Sequence, residues 1–306
     1  MSEPNAPVAS AEPPRADRTL LGIGLMIAGF MFFSLTDTIA KFLTQDFQPI
    51  QIAWFRQLGL LSAGLWFLLT KGPAVLSTRH PVLQIVRGML AALSASGFIF
   101  AVSYVPLPDA TAVSFVAPFA VTIIAALALR ETVGFRRWTA LTIGFIGTLI
   151  VIRPGLGVLH PAIFVVLGAA TLFALRQILS RVLGPTDATA TTITYTAISS
   201  VLLLTIPMAF VWKTPESNGQ MLLILLLACS AGLGELLIIR ALELAQAAIV
   251  APLQYSMIVW STGLSWLVFS QLPDHWTLLG AAIIIASGLY TLHRERLAAQ
   301  RKSRRR

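Results

Sequence analysis

Ten apolar runs follow one another along the chain with only short polar breaks, and each has about the length of a helix that crosses a lipid bilayer. Their approximate limits are 20–43, 50–70, 82–104, 109–129, 138–154, 160–183, 189–212, 219–242, 247–270 and 276–293. The runs are continuously apolar rather than alternating, which predicts helices and not the strands of an outer-membrane barrel. Because 56% of the residues are hydrophobic and only 11% are charged, the sequence predicts an all-α membrane protein with ten transmembrane helices.

Basic residues outside the runs are divided very unequally between the two sides that the runs define. If residues 1–19 are cytoplasmic, fifteen basic residues lie on that side and two, Arg153 and Lys213, lie on the other. Cytoplasmic loops carry such an excess of lysine and arginine, so both termini are predicted to be cytoplasmic. Residues 1–19 are expected to be disordered. The basic tail 294–306 is expected to touch anionic lipid headgroups rather than nucleic acid, because no folded basic domain accompanies it.

Three short motifs recur in the same order in the two halves of the chain. VAPF at 116–119 returns as VAPL at 250–253, WTAL at 138–141 returns as WTLL at 276–279, and DTIAKFL at 37–43 can be aligned with QILSRVL at 177–183. The offsets of 134, 138 and 140 residues indicate duplication of a five-helix unit. Because five is odd, the halves 20–154 and 160–293 are predicted to form an inverted repeat. This architecture is typical of carriers that open one central site to either side in turn.

Longer motifs resemble the drug/metabolite transporter superfamily, specifically its ten-helix EamA-type members, over residues 20–293. They are FSLTDTIAKFL ending the first run, WFRQ opening the second, VRG opening the third, ETVGFRRW after the fourth, FIGTLIVIRPG ending the fifth and APLQYSMIVW in the ninth. One position departs from the resemblance. Where that family commonly has a glutamate closing the ninth span, this chain has Gln271, whereas its first-half counterpart Glu131 is kept.

The resemblance implies a cofactor-free carrier of small organic metabolites in the bacterial inner membrane, as a monomer or weak dimer. The leading prediction is export of hydrophobic or aromatic amino acids, because the superfamily includes such exporters and the candidate cavity is aromatic with few charges. Uptake of a cofactor-like metabolite such as S-adenosylmethionine or riboflavin is the alternative. A membrane-embedded enzyme is a distant one, because all four histidines lie at span edges, without catalytic or metal-ligand spacing. No phosphate-binding GxxxxGK[ST] loop is present, so transport would use the substrate gradient or a coupled proton.

Charged side chains inside the runs are the first candidates for a binding site, because each costs about 3 kcal/mol to place in hydrocarbon. Asp37 and Lys41 lie one helical turn apart. Lys41 is expected to snorkel to the headgroups. Asp37 is expected to face a cavity or to form an ion pair with Arg56, and a pair that only locks two helices is an equally physical outcome.

Two further charges lie deep in the second half. Glu235 in the eighth run and Arg176 in the sixth are predicted to lie at comparable depth, where the guanidinium can bind a carboxylate of the substrate or of Glu235. A buried structural pair is the alternative. Asp37 and Glu235 are the carboxylates that a coupled proton would titrate. Arg87 is expected to make headgroup or loop contacts, as is Glu131.

Prolines occupy matching repeat positions in the fourth and ninth runs. Pro118 and Pro252 are predicted to be hinges, because paired helix breaks in two halves indicate a midplane site; simple packing kinks are the alternative. Polar and aromatic side chains nearby suit an amphipathic organic molecule. Together with Ser34, the predicted substrate contacts are Ser114, Phe115, Gln254, Tyr255 and Trp260, with Ser256 close by.

Overall fold

A computed structural model describes residues 15–128, 135–152, 160–183, 186–245 and 251–303, and it contains no strand within these ranges. The α-helices are α1 (Arg15–Leu43), α2 (Pro49–Lys71), α3 (Pro81–Val102), α4 (Leu107–Ser114), α5 (Ala117–Ala128), α6 (Phe135–Ile152), α7 (Ala162–Leu183), α8 (Thr189–Val211), α9 (Asn218–Leu244), α10 (Ser256–Phe269) and α11 (His275–Ser303). Short 3₁₀-helices span Pro73–Leu76 and Ala251–Tyr255. Residues 1–14, Glu131 and the last three residues of the basic tail lie outside the described ranges.

Each of the ten predicted runs contains helix. Within the described residues, seven helical stretches are long and apolar enough to cross a membrane. They are Thr19–Leu43, Pro49–Lys71, Pro81–Val102, Leu107–Ile124, Ala162–Ser180, Thr189–Val211 and Asn218–Leu242. Shorter apolar helices cover Thr142–Ile152 and His275–Tyr290. The prediction of an all-α membrane protein is confirmed, whereas the cytoplasmic location of the termini stays a prediction.

Two of the predicted runs are not single regular helices. The fourth is divided where α4 ends at Ser114 and α5 begins at Ala117, with Pro118 in the first turn of α5. The ninth begins as the 3₁₀-helix Ala251–Tyr255, which contains Pro252, and continues as α10. Proline cannot donate a backbone hydrogen bond, so both predicted hinge residues stand at irregular stretches of corresponding spans.

Helices of one half pack against helices of the other. α1 and α9 run antiparallel, and their hydroxyls meet where Thr36 Oγ1 lies 2.8 Å from Ser230 Oγ. α3 and α7 also run antiparallel, and Ser94 Oγ donates to the carbonyl oxygen of Ala169 at 2.9 Å. The first contact becomes the second when the two halves are exchanged, which is the relation expected of an inverted repeat.

Glycine permits the closest of these approaches. A Cβ atom at Gly59 of α2 would overlap the carbonyl oxygen of Ala228 in α9. At the crossing of α6 and α11, a Cβ on Gly147 would lie 2.9 Å from the carbonyl oxygen of Gly280. Small residues at such crossings let membrane helices pack backbone to backbone.

The bundle has two ends, which we name after residues found there. At the Asp187 end, where α2 and α7 finish and α3 and α8 begin, Asp187 accepts hydrogen bonds from Thr78 at 2.6 Å and Gln84 at 2.7 Å. Burial alone would raise the pKa of Asp187, but these hydrogen bonds outweigh it and hold the pKa below its usual value. The opposite Lys41 end holds the ends of α1, α3 and α10 and the starts of α2, α4 and α11. The positive-inside prediction makes the Asp187 end cytoplasmic.

Candidate functional site

An ion pair lies inside the bundle near the end of α1. Arg56 of α2 donates to Asp37 of α1 with Nη1 3.0 Å from Oδ1. The pair that the sequence predicts is therefore present. The Arg56 guanidinium also stands 5.9 Å from the ring centroid of Phe33, so it is held by one carboxylate and one aromatic face.

Arg176 of α7 is the next charge inside the bundle, and its side chain is half-buried. Its guanidinium carbon stands 4.8 Å from the ring centroid of Phe173, and Arg56 and Glu235 are near enough to act on its charge. Its Nε atom is buried and has no hydrogen-bond partner among the residues that the structure describes. A buried donor without a partner is costly, and in a transporter such a donor is a candidate substrate contact.

Glu235 of α9 supplies a negative charge that acts on Arg176. It acts electrostatically on both Arg176 and Arg87. In the part of the chain that the structure describes, however, its carboxylate makes no ion pair and accepts no hydrogen bond. The oxygens of Glu235 are therefore available to a ligand.

Arg87 of α3 completes the group, although sequence analysis assigned it to headgroup or loop contacts. That prediction is wrong, because Arg87 is buried, with Nε donating to Ser180 Oγ at 2.7 Å and Nη1 donating to Thr196 Oγ1. The signal that could have found it is the hydroxyl-rich start of α8, TATTITYTAISS, which offers acceptors at this depth. Asp37, Arg56, Arg87, Arg176 and Glu235 together form the charged cluster.

Lys41 belongs to a separate group at the Lys41 end. Its Nζ atom donates to the carbonyl oxygen of Val105 at 2.9 Å and to Gln271 Oε1 at 3.2 Å, and it lies 5.4 Å from the ring centroid of Phe269. Asp109 acts electrostatically on Lys41. The expectation that Lys41 snorkels to headgroups is therefore wrong, since protein acceptors from both halves hold its ammonium group.

Two of the predicted aromatic contacts pack into the core instead. Phe115 and Tyr255 are both buried, with their ring centroids 5.2 Å apart in an edge-to-face arrangement. They belong to an apolar cluster built from α4, α6, α7 and α11, and the Tyr255 hydroxyl lies against the backbone of Gly288. Packing against other core side chains accounts for the position of both rings, and their role as substrate contacts stays a prediction.

The remaining predicted contacts differ in availability. Ser114 donates to its own helix at Ala110, 2.9 Å away, and Ser34 donates weakly across to the carbonyl oxygen of Met257 at 3.4 Å. Gln254 is half-buried in the 3₁₀-helix. Within the described ranges, the buried Oγ atom of Ser256 has no hydrogen-bond partner, and neither has the buried Nε1 atom of Trp260 one turn further on.

The cluster carries three guanidinium groups and two carboxylates, so it presents partners for ligand groups of either charge. No group of three or more His, Cys, Asp or Glu side chains in the described residues is arranged to hold a metal ion. Oppositely threaded helices around charges buried at membrane depth define the class of membrane transporters.

The family follows from sequence comparison. The chain matches the EamA-like transporter family over residues 20–153 and again over 160–292, and it belongs to that family. A crystal structure with 16% sequence identity matches 93% of this chain and 99% of its own with a TM-score of 0.63, which shows a shared fold.

Three named relatives cover most of this chain. It is 29% identical to the S-adenosylmethionine uptake transporter of Rickettsia felis over 92% of this chain and 96% of the relative. The riboflavin transporter of Vibrio cholerae is 28% identical, with 88% and 91% covered. The pseudopaline exporter of Pseudomonas aeruginosa is 25% identical, with 87% and 94% covered.

These relatives make the protein a multi-pass transporter of the bacterial inner membrane. Their names agree with a carrier rather than an enzyme. They give no support to the leading prediction, export of aromatic amino acids, and fit better with the alternative, a cofactor-like metabolite.

Proposed function

We propose that this protein takes up S-adenosylmethionine, or a metabolite of closely similar chemistry, by opening a central site alternately to the two sides of the membrane. The observation that carries the proposal is the charged cluster, which joins α1, α2, α3, α7 and α9 through both signs of charge inside the bundle. The named function of the Rickettsia felis relative supports the choice of substrate and of direction.

The chemistry of this substrate suits the site. S-adenosylmethionine carries a carboxylate, an ammonium and a sulfonium, so it needs partners of both signs, and it carries an aromatic base. The cluster offers three guanidiniums and two carboxylates, with the rings of Phe33 and Phe173 against two of the guanidiniums. Riboflavin has no fixed charge and would leave these buried charges without ligand partners, at a cost in binding.

In the proposed transport cycle, the contacts around Lys41 hold the bundle closed at the Lys41 end. Lys41 and Val105 belong to the first half and Gln271 to the second, so their hydrogen bonds tie the halves together at the Lys41 end. Asp109 of α4 adds a second tie by accepting from Thr277 of α11 at 3.0 Å. In the proposed cycle these contacts break when that end opens, while the irregular stretches beside Pro118 and Pro252 absorb the change in backbone.

Counterflow in proteoliposomes tests the proposal. Vesicles loaded with unlabelled S-adenosylmethionine are expected to accumulate labelled S-adenosylmethionine from outside, whereas vesicles loaded with phenylalanine or tryptophan are not. Protein-free vesicles are the control, and repeating the assay under a pH gradient distinguishes substrate exchange from coupling to a proton at Asp37 or Glu235. Counterflow of the aromatic amino acids without counterflow of S-adenosylmethionine would contradict the proposal.

A further inference from the structure

The three arginines of the charged cluster differ in what they already bind. Arg56 has Asp37 at 3.0 Å, and Arg87 donates to the hydroxyls of Ser180 and Thr196. The side chain of Arg176 makes no hydrogen bond or ion pair within the described residues, and its Nε atom is sealed from solvent. Arg176 is thus the guanidinium whose donors remain to be satisfied.

Arg176 is nevertheless held in place. The ring of Phe173, one turn earlier on the same helix, lies 4.8 Å from the guanidinium carbon. Stacking on an aromatic face restrains the planar fork without occupying its N–H groups. Such a fork is organised in advance to bind a carboxylate through two parallel hydrogen bonds.

Glu235 is the natural partner for Arg176, yet the two do not pair. They interact electrostatically, but no ion pair forms between them. The two charges therefore act on each other without forming an ion pair, and each side chain keeps its capacity to bind a ligand group. A carbon that bears both a carboxylate and an ammonium group has the charges needed to bridge them.

We infer that Arg176 and Glu235 form a clamp for the α-amino-carboxylate end of the substrate, with Arg176 binding the carboxylate and Glu235 binding the ammonium. This inference rests on the proposed function and deepens it, because it states which part of the metabolite the charged cluster selects. Asp37 and Arg56 are already paired with each other, so they have a structural role beside the site and are not part of the clamp.

The clamp predicts selectivity by headgroup. S-Adenosylmethionine and S-adenosylhomocysteine both keep the amino-carboxylate end, although only the first has a sulfonium. Decarboxylated S-adenosylmethionine keeps the base, sulfonium and amine but loses the carboxylate. The wild-type protein is therefore expected to bind the first two compounds at least about tenfold more tightly than the third, because only they supply a carboxylate that accepts hydrogen bonds from the Arg176 guanidinium.

Calorimetric titration of the purified full-length protein in detergent tests the clamp. Arg176→Gln is expected to weaken binding of S-adenosylmethionine by about 10- to 100-fold while changing the affinity for the decarboxylated compound little. Glu235→Gln is expected to weaken binding of S-adenosylmethionine. It is expected to have less effect on binding of deaminated S-adenosylhomocysteine, which has no ammonium group. The matched control is Arg79→Gln, which removes an exposed guanidinium near the Asp187 end.

Two results would overturn the inference. One is a wild-type protein that binds S-adenosylmethionine and its decarboxylated form equally, and this measurement remains decisive if Arg176→Gln does not fold. The other is an equal loss of affinity for both ligands in Arg176→Gln, with the ratio of the two affinities also unchanged in Arg176→Lys. That result would indicate a structural role for Arg176. If the protein instead binds methionine in preference to 3-methylthiopropylamine and does not bind S-adenosylmethionine, the clamp stands and the proposed substrate fails.

Discussion

Charged residues inside this bundle fall into two kinds. Asp37 and Arg56 satisfy each other at 3.0 Å, as expected of charges that stay buried through the transport cycle. Arg176 and Glu235 keep binding capacity unused, which is costly for a structure and useful for a ligand. The difference in pairing, rather than depth in the membrane, separates a structural charge from a candidate contact.

Removing one member of the Asp37–Arg56 pair leaves the other buried without its partner. Asp37→Asn and Arg56→Gln are each expected to lower the free energy of unfolding by about 3 kcal/mol. The reversed double variant, Asp37→Arg with Arg56→Asp, is expected to regain much of that loss. Thermal unfolding in detergent measures this, with Asp46→Asn at an exposed position as the control. A double variant no more stable than the weaker single variant would show that the two residues act separately.

Local sequence predicts a partner only where consecutive spans place two charges at the same level. Asp37 and Arg56 are such a case, and their ion pair is present. The sequence predicts headgroup contacts for Lys41 and headgroup or loop contacts for Arg87, whereas their acceptors lie 64 residues or more away along the chain. Such partners depend on which helices become neighbours, and this is a property of the whole bundle.

At the scale of elements, the helices follow from the apolar runs, and their interruptions follow from proline. The continuous runs fix where each helix lies, because unpaired backbone groups are too costly in hydrocarbon. The division between α4 and α5 and the 3₁₀ start of the ninth span are marked in the sequence by Pro118 and Pro252. Their use as hinges remains a prediction, since bending requires a second conformation.

The Lys41 contacts join α1, the turn before α4 and the end of α10, so they belong to this scale. In a variant whose single cysteine is replaced, Cys229→Ser, a reporter Ser34→Cys lies about 10 Å deeper than Lys41 along α1. Adding Lys41→Met is expected to increase labelling of the reporter from the Lys41 end by an impermeant thiol reagent about tenfold, because loss of two hydrogen bonds favours opening.

Lys213→Met is the matched control for this experiment. It removes a lysine at the same end, where the side chain is exposed and its ammonium lies 6.0 Å from the ring centroid of Phe47. Labelling should be unchanged in this variant. Equal labelling in Lys41→Met and in its parent would mean that Lys41 does not hold the halves together.

At the scale of the molecule, exchange of the two halves relates the α1–α9 contact to the α3–α7 contact. The odd number of spans in the repeat made this threading predictable. The substrate is not predictable in the same way. Phe115 and Tyr255, which the sequence predicts as ligand contacts, pack into an apolar cluster, and their contact with substrate stays a prediction. Composition favours aromatic amino acids, whereas the proposed function rests on the charged cluster.

The central claim is that one buried site opens to either face of the membrane in turn. The most direct measurement is labelling of Ser34→Cys, in the Cys229→Ser protein, by an impermeant thiol reagent applied to one face at a time in right-side-out and inverted vesicles. We expect labelling from both faces, and protection from both by S-adenosylmethionine. Labelling from a single face under all conditions would contradict the account.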